Sequence, residues 1–250
     1  MRMKTASILG VHFHAVTMQQ AVELAMSRLR ARQKGYVVTP NPEIVDLCRR
    51  DSEYMGIVNR AALVLPDGIG IIYAAKILGE ELHGKVAGIE FAEHLVAAMA
   101  KENMRLYLLG AKPGIAEQAG KNLCEKYPGL VLAGAHDGYF TDAQEAVAAI
   151  NSCGGADVVF VCLGAPKQEK FIAENMDEIH ATLFCGLGGS LDIFSGVSKR
   201  APDIFIKLGL EWFYRLLKQP SRIGRMMKLP KFLLIVIRER LFGGKGTKKK

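Results

Sequence analysis

Leu63-Val64-Leu65-Pro66-Asp67-Gly68-Ile69-Gly70 is the stretch on which the fold turns. An apolar strand-like run stops at a proline, one carboxylate follows, and two glycines lead into a helical pattern over 69–78. Strand, polar turn and helix in that order form one arm of an α/β layer, where ligands collect at the carboxyl ends of the strands. Asp67 therefore has two readings: a cap for the helix that follows, or a carboxylate presented to a ligand. A second punctuation of the same kind, Val37-Val38-Thr39-Pro40-Asn41-Pro42, closes the preceding strand and favours a shared site.

The alternation extends in both directions. Upstream, residues 7–13 read as a strand, Thr17 caps a helix over 18–33, and 36–39 is a short buried strand. Asn41-Pro42-Glu43 opens the next helix with proline at its favoured first position and an acid in the first turn. Downstream, 79–88 is a loop, 89–102 a helix, and the strand from Arg105 meets Gly110-Ala111-Lys112-Pro113-Gly114 before a helix over 115–126. Amide groups left unpaired at a helix start attract phosphate, which makes Gly110 and Gly114 nucleotide-binding candidates, although the strict GxGxxG is absent. Residues 130–134 form a strand ending in a loop that carries Tyr139, and 142–151 a helix. The continuous apolar run Asp157-Val158-Val159-Phe160-Val161-Cys162-Leu163 is the kind buried on both faces of a parallel sheet. It enters Gly164-Ala165-Pro166-Lys167-Gln168-Glu169 and a helix; 182–186 is the last clear strand, closed by Gly186-Leu187-Gly188-Gly189-Ser190. The expected fold is α/β, a layered Rossmann-like domain with a largely parallel sheet over 1–198.

A chain of 250 residues, half hydrophobic and 23% charged, folds and buries a sizeable core. Its five cysteines are scattered without a CxxC pair, which fits a reducing compartment, and neither a signal peptide nor a run of about 20 apolar residues is visible. A cytoplasmic protein is expected. The net charge of +8 is uneven: residues 199–250 hold 15 Lys and Arg against 3 Asp and Glu (+12), and residues 1–198 hold 18 against 22 (−4). An acidic body with a basic end points to an anionic partner. After Ala201-Pro202 the pattern becomes helical over 203–217 and 231–242, broken at Pro220 and Pro230. Phe232-Leu233-Leu234-Ile235-Val236-Ile237 is too short to span a bilayer; it suits an interfacial helix or one packed back on the body. Residues 199–250 are expected to form a basic amphipathic appendage.

Read together, Thr39-Pro40-Asn41, Pro66-Asp67-Gly68, Gly138-Tyr139-Phe140, Leu163-Gly164-Ala165-Pro166-Lys167-Gln168-Glu169, Arg200-Ala201-Pro202, Gly209-Leu210-Glu211-Trp212, Arg215-Leu216 and Pro220-Ser221-Arg222 resemble the WecG/TagA/CpsF family of bacterial glycosyltransferases. The resemblance runs from about residue 8 to 242. It implies transfer, with inversion, of an N-acetylmannosamine-type sugar from UDP to a lipid-linked N-acetylglucosamine diphosphate at the cytoplasmic membrane face. The acceptor implied is a polyprenyl diphosphate, and the protein would be peripheral on an anionic membrane surface. Thr-Pro-Asn is closer to the wall teichoic acid members, which use UDP-N-acetylmannosamine, than to those using the mannosaminuronate. Tyr139 and Gly164 fall in motifs implied to face the nucleotide. Lys85 stands where the family would have arginine, keeping the charge but losing the planar fork that grips phosphate in two places.

The residue chemistry agrees. Single-displacement sugar transfer needs a base for the acceptor hydroxyl, worth about 10²–10⁴-fold, and Asp67 is the best-placed carboxylate. The departing diphosphate gains charge, so cations or a metal must meet it. No Asp-x-Asp pair exists, which argues against a metal or other cofactor and gives the task to Arg215, Arg222 and Arg225, whose other reading is a solvated basic face. Thr39, Asn41 and Gln168 offer hydrogen bonds to sugar hydroxyls or the acetamido group; Gln168 could equally be a satisfied loop amide. His12-x-His14 lacks a third ligand and reads as surface. A dinucleotide-dependent oxidoreductase would share the Gly110–Gly114 turn, but should carry an acid at the end of the next strand, which here ends at Ala133-Gly134. A nucleic-acid-binding protein would explain the basic end but not polar residues repeated at strand ends, so no nucleic acid is expected. Self-association into a homo-oligomer stays open.

Overall fold

A computed structural model describes residues 3–202, 204–205, 213–214 and 228–242. Six parallel strands form one sheet in the order β4-β3-β8-β7-β5-β6. They are β3 (Gly35–Val38), β4 (Leu63–Val64), β5 (Arg105–Gly110), β6 (Val131–His136), β7 (Ala156–Cys162) and β8 (Ala181–Gly186). The helices between them are α1 (Met18–Arg30), α2 (Pro42–Arg50), α3 (Ser52–Asn59), α4 (Ile69–Leu78), α5 (Gly88–Ala100), α6 (Ile115–Lys126), α7 (Ala143–Ser152), α8 (Lys167–Asn175) and α9 (Ser190–Phe194). A last helix, α10, covers Lys228–Phe242. The layered α/β fold read from the sequence is the one observed.

Alternate residues of each strand feed opposite faces, and two cores result. Leu106, Leu108, Val158 and Phe160 face α1, α5, α6 and α9. Tyr107, Leu109, Val159 and Val161 face α2, α3, α4, α7, α8 and α10. Both faces of β7 are thus covered, which is why its sequence is apolar without alternation. Burying a side chain such as Phe160, fully inaccessible, contributes about 1.5–3 kcal/mol. Crossovers running towards β4 pass over one face, and α6, running towards β6, passes over the other, as a single crossover hand requires.

The amino-terminal segment departs from expectation. Residues 7–13 are not one strand but the turn of an antiparallel hairpin, β1 (Thr5–Ile8) and β2 (Val11–His14). Leu9 and Gly10 both take positive φ, 52° and 90°, which closes a two-residue loop; leucine at such a position gives no sequence signal. The hairpin covers the β4 edge, where the Val64 N–H donates to His14 Nδ1 at 3.0 Å. His14 is therefore half-buried rather than on the surface, and that burial lowers its imidazole below the ordinary histidine range.

Candidate functional site

Strand register decides what the site contains. Val38 lies opposite Val64 on one side and Gly186 on the other, Gly186 opposite Val161, Cys162 opposite Gly110, and Leu109 opposite His136. All six carboxyl ends therefore fall in one row. Read across the sheet, it presents Asp67, then Thr39 and Asn41, then Gly188, then Gly164 and Gln168, then Gly110 and Gly114, then Tyr139. β5 feeds towards β6 whereas β7 feeds towards β8, so the chain diverges between them, the switch point at which open sheets of this kind form a nucleotide-binding crevice.

The glycine turn after β5 is shaped by close backbone approach. Gly110 has φ +128°, and a Cβ there would lie 2.4 Å from the Cys162 carbonyl oxygen. The β6 loop rests on this turn through the Gly138 N–H, which donates to Ala111 O at 2.9 Å. Tyr139, 67% exposed, stands at the rim with its ring uncovered.

Most of the helices that open onto the row lack a capping side chain at their first turn. α4, α5, α6, α8 and α9 start without a side-chain cap, at Gly68, Ala87, Gly114, Pro166 and Gly189. The exceptions in the row are α2 and α7, capped by Asn41 and Asp142; away from it Thr17 and Asp51 cap α1 and α3. Uncapped amino termini leave N–H donors and the positive end of the helix dipole directed at the row, an environment suited to a diphosphate.

Asp67 does not cap α4. Its N–H donates to Pro40 O at 3.2 Å, tying the ends of β3 and β4 together, and its Oδ2 accepts the Gly88 N–H at the start of α5 at 3.5 Å. The loop carrying Lys85 folds back to the same place, since the Val86 N–H donates to Pro66 O at 2.8 Å. Asn41 spends its carbonyl oxygen on the Glu43 and Ile44 N–H groups as the α2 cap, leaving the amide nitrogen to donate to a ligand. Thr39 is buried; its hydroxyl donates to Gly186 O at 3.4 Å, and a Cβ on Gly88 would lie 2.9 Å from its Oγ1. Thr39 thus joins the ends of β3, β8 and α5.

Gln168 lies in the first turn of α8 and is deeper than a loop amide would be. It is 3% exposed, and its Oε1 accepts the Gly164 N–H at 3.2 Å and the Gly188 N–H at 2.9 Å. Its Nε2 donates to Glu169 Oε1 at 2.7 Å, and Tyr54 O–H donates to Glu169 Oε2 at 2.9 Å. Burial pushes the Glu169 carboxyl above the ordinary glutamate range, while the Gln168 and Tyr54 donors pull it back. The same burial, with Glu169 beside it, pushes the Tyr54 phenol up. Sequence reading missed Glu169: an acid in the first turn of a helix looks like a surface residue favouring the dipole. The Arg215, Arg222 and Arg225 candidates lie outside the described residues. Before them, Arg200 pairs with Glu90 in the first turn of α5, beside the site. Among the described residues no three His, Cys, Asp or Glu side chains gather as metal ligands would, and no helix is long and apolar enough to cross a membrane.

Comparison with known proteins converges on one group. A family model described as the glycosyl transferase WecG/TagA/CpsF family matches residues 6–246. A Bacillus subtilis (strain 168) protein is 37% identical over 203 residues, 81% of this chain and 79% of its own length. A Staphylococcus aureus (strain MW2) protein is 35% identical over 228 residues, 90% of this chain and 89% of its own. Both carry the name N-acetylglucosaminyldiphosphoundecaprenol N-acetyl-beta-D-mannosaminyltransferase.

Proposed function

The chain belongs to the WecG/TagA/CpsF family of glycosyl transferases, and on that premise we propose that it moves N-acetylmannosamine from UDP to undecaprenyl-diphosphate-linked N-acetylglucosamine. The sugar would be received on the 4-hydroxyl of the acceptor, a step in building a cell-wall or surface polysaccharide such as the wall teichoic acid linkage unit. The observation carrying this reading is the register that sets Asp67 and the glycine turn before the uncapped start of α6 along one row of strand ends. The nucleotide would occupy the β5–β7 crevice, with its diphosphate against the amino termini of α6 and α8 and Tyr139 at the rim. The acceptor would approach from the β3–β4 end. Asp67 would take the acceptor hydroxyl proton as that oxygen bonds to the sugar C1 and the C1–oxygen bond to UDP breaks on the opposite face, inverting the centre. Lys85, from beside Asp67, would bind substrate, and Arg215, Arg222 and Arg225 would meet the charge on the departing diphosphate, without a metal.

The segment 199–250 would act as a membrane-associating appendage that completes the site. α10 supports this by having two faces. Phe232 and Val236 are buried against the body, whereas Leu234, Ile237 and Leu241 form an outward stripe, 67%, 41% and 68% exposed, beside Lys231, Arg238 and Arg240. Such a face suits an anionic cytoplasmic leaflet, with about 1 kcal/mol per basic residue, screened by salt.

The decisive experiment incubates purified protein with UDP-N-acetylmannosamine and a lipid-diphosphate N-acetylglucosamine acceptor, with and without EDTA, beside Asp67→Asn. Disaccharide-lipid should form at a rate EDTA leaves unchanged, and Asp67→Asn should bind UDP yet turn over at least about 10²-fold more slowly. Near-normal turnover by that variant would remove Asp67 as the base, and absence of product with UDP-N-acetylmannosamine would remove the donor assignment.

A further inference from the structure

Tyr54 and Glu169 extend Gln168 into a buried chain of polar side chains, and the transfer chemistry proposed above gives neither of the two a role. Tyr54 and Glu169 are each 1% exposed, yet the chain ends on two loops of the proposed site. Hiding a carboxylate in an apolar layer is costly unless its oxygens are hydrogen-bonded, so its retention calls for an explanation that packing alone does not supply. A neutral side chain of similar size would fill the same space.

Donor and acceptor logic supplies the explanation. The Gly164 and Gly188 N–H groups can only donate, so only the oxygen of the Gln168 amide can hold both. That orientation requires the amide nitrogen to face an acceptor. A carboxylate only accepts, and Glu169 Oε1 stands 2.7 Å from the nitrogen. A glutamine at 169 could turn either its oxygen or its nitrogen to Gln168 and would leave the orientation open. Tyr54, from α3, holds the other carboxylate oxygen. Gly186 makes room: a Cβ there would lie 3.1 Å from Gln168 Nε2 and 3.4 Å from Glu169 Oε1.

We propose that Glu169 is a positioning residue, an acceptor-only lock that fixes the Gln168 amide so that its oxygen ties the loops after β7 and β8. Those loops stand between the β5–β7 crevice and the Thr39–Asp67 end of the row. The lock therefore sets the span across which donor sugar and acceptor hydroxyl must meet, and in this it rests on the glycosyl-transfer reading given above. A misplacement of about 1 Å in such a geometry costs about 10²-fold in rate.

The test uses the full chain and the isosteric variant Glu169→Gln, read by amide hydrogen exchange as well as by turnover. In the variant the Gly164 and Gly188 amides should exchange at least about tenfold faster, while Val159 and Phe160 amides in β7 keep their protection. The kcat for sugar transfer should fall about 10²-fold, with a smaller change in the KM for the UDP-sugar. Tyr54→Phe leaves the carboxylate in place without one donor, and should shift the same two glycines and kcat in the same direction by less. It carries the test if Glu169→Gln does not fold. Unchanged exchange at both glycines would overturn the lock. Faster exchange with unaltered kcat and KM would overturn its part in the reaction. The exchange arm reads the lock even if the parent protein transfers no sugar, so failure of the activity reading stays distinct from failure of this one.

Discussion

Phe232→Ala probes how the carboxyl-terminal helix is held. Phe232 is 2% exposed and Val236 fully buried, in the layer that also contains Val45 of α2 and Ile71, Ala74 and Ala75 of α4. Gly70 permits this approach, since a Cβ there would lie 2.5 Å from Leu229 Cδ1 and 2.7 Å from Pro42 Cγ. Burial of the two side chains contributes about 3–6 kcal/mol in all. Ordering the backbone of α10 opposes that gain, so what holds the helix in place is less than the burial alone. Docking is therefore marginal, and truncating a buried Phe to Ala, which removes about 3–5 kcal/mol, exceeds what holds the helix. Phe232→Ala should release α10 while the sheet stays folded. Hydrogen-exchange mass spectrometry should find the peptide over residues 228–242 exchanging like free chain, with trypsin cutting at Arg238 and Arg240. Peptides from β7 and β8 should be unchanged. Were the loss shared by the whole domain, the melting temperature would instead drop by about 6–10 °C, at about 2 °C per kcal/mol for this length. Retained protection of α10 in the variant would refute the reasoning.

Asn41→Ala should cost about 1 kcal/mol through the lost α2 cap, whereas Asn41→Asp keeps an oxygen for Glu43 and Ile44 and should melt like the parent; if Asn41→Asp also transfers sugar normally, the amide nitrogen does not serve the substrate. Gly110→Ala forces a Cβ to within 2.4 Å of a carbonyl oxygen at φ +128°, and should lose about 2 kcal/mol or more of stability together with UDP affinity, measured by thermal melt and titration calorimetry. Burial, joined at Cys48 by the Glu169 charge, pushes the Cys48 and Cys162 thiols up to about 12. In the folded protein both should resist iodoacetamide at pH 8, because the thiolate is the nucleophile; timed alkylation with mass spectrometry checks this. Since the unfolded thiols ionise first, their contribution to stability is complete below the ordinary thiol pKa. It is lost as pH rises from there to about 12, so alkaline unfolding should be less steep in Cys48→Ala.

Much of the architecture was legible because it rests on local rules. Apolar runs ending in Pro, Gly or Asn, each followed by a helical pattern, announced the parallel sheet, and the β7 run announced burial on both faces. The ordered motifs named the family, which the match over residues 6–246 bears out. The hairpin at Leu9-Gly10 escaped because its turn uses a leucine at positive φ, and α9 because five residues are too few to display a period. Composition alone also gave the basic end, while the apolar run over 232–237 left an interfacial helix and one packed back on the body as alternatives.

What chain order could not supply was adjacency. Asp67 precedes α4 in sequence, yet its carboxylate accepts from the first residue of α5, 21 positions on, because the loop between folds back on Pro66. Gln168 reads as a sugar-binding amide or a satisfied loop amide; only the alignment of β7 beside β8 brings Gly188 to the same oxygen as Gly164. Glu169 has the pattern of a surface acid until Tyr54, 115 residues earlier, closes over it. Local sequence sets which backbone each residue prefers, but hydrogen-bond partners and desolvation depend on which strands lie side by side, and that is fixed by packing over the whole sheet.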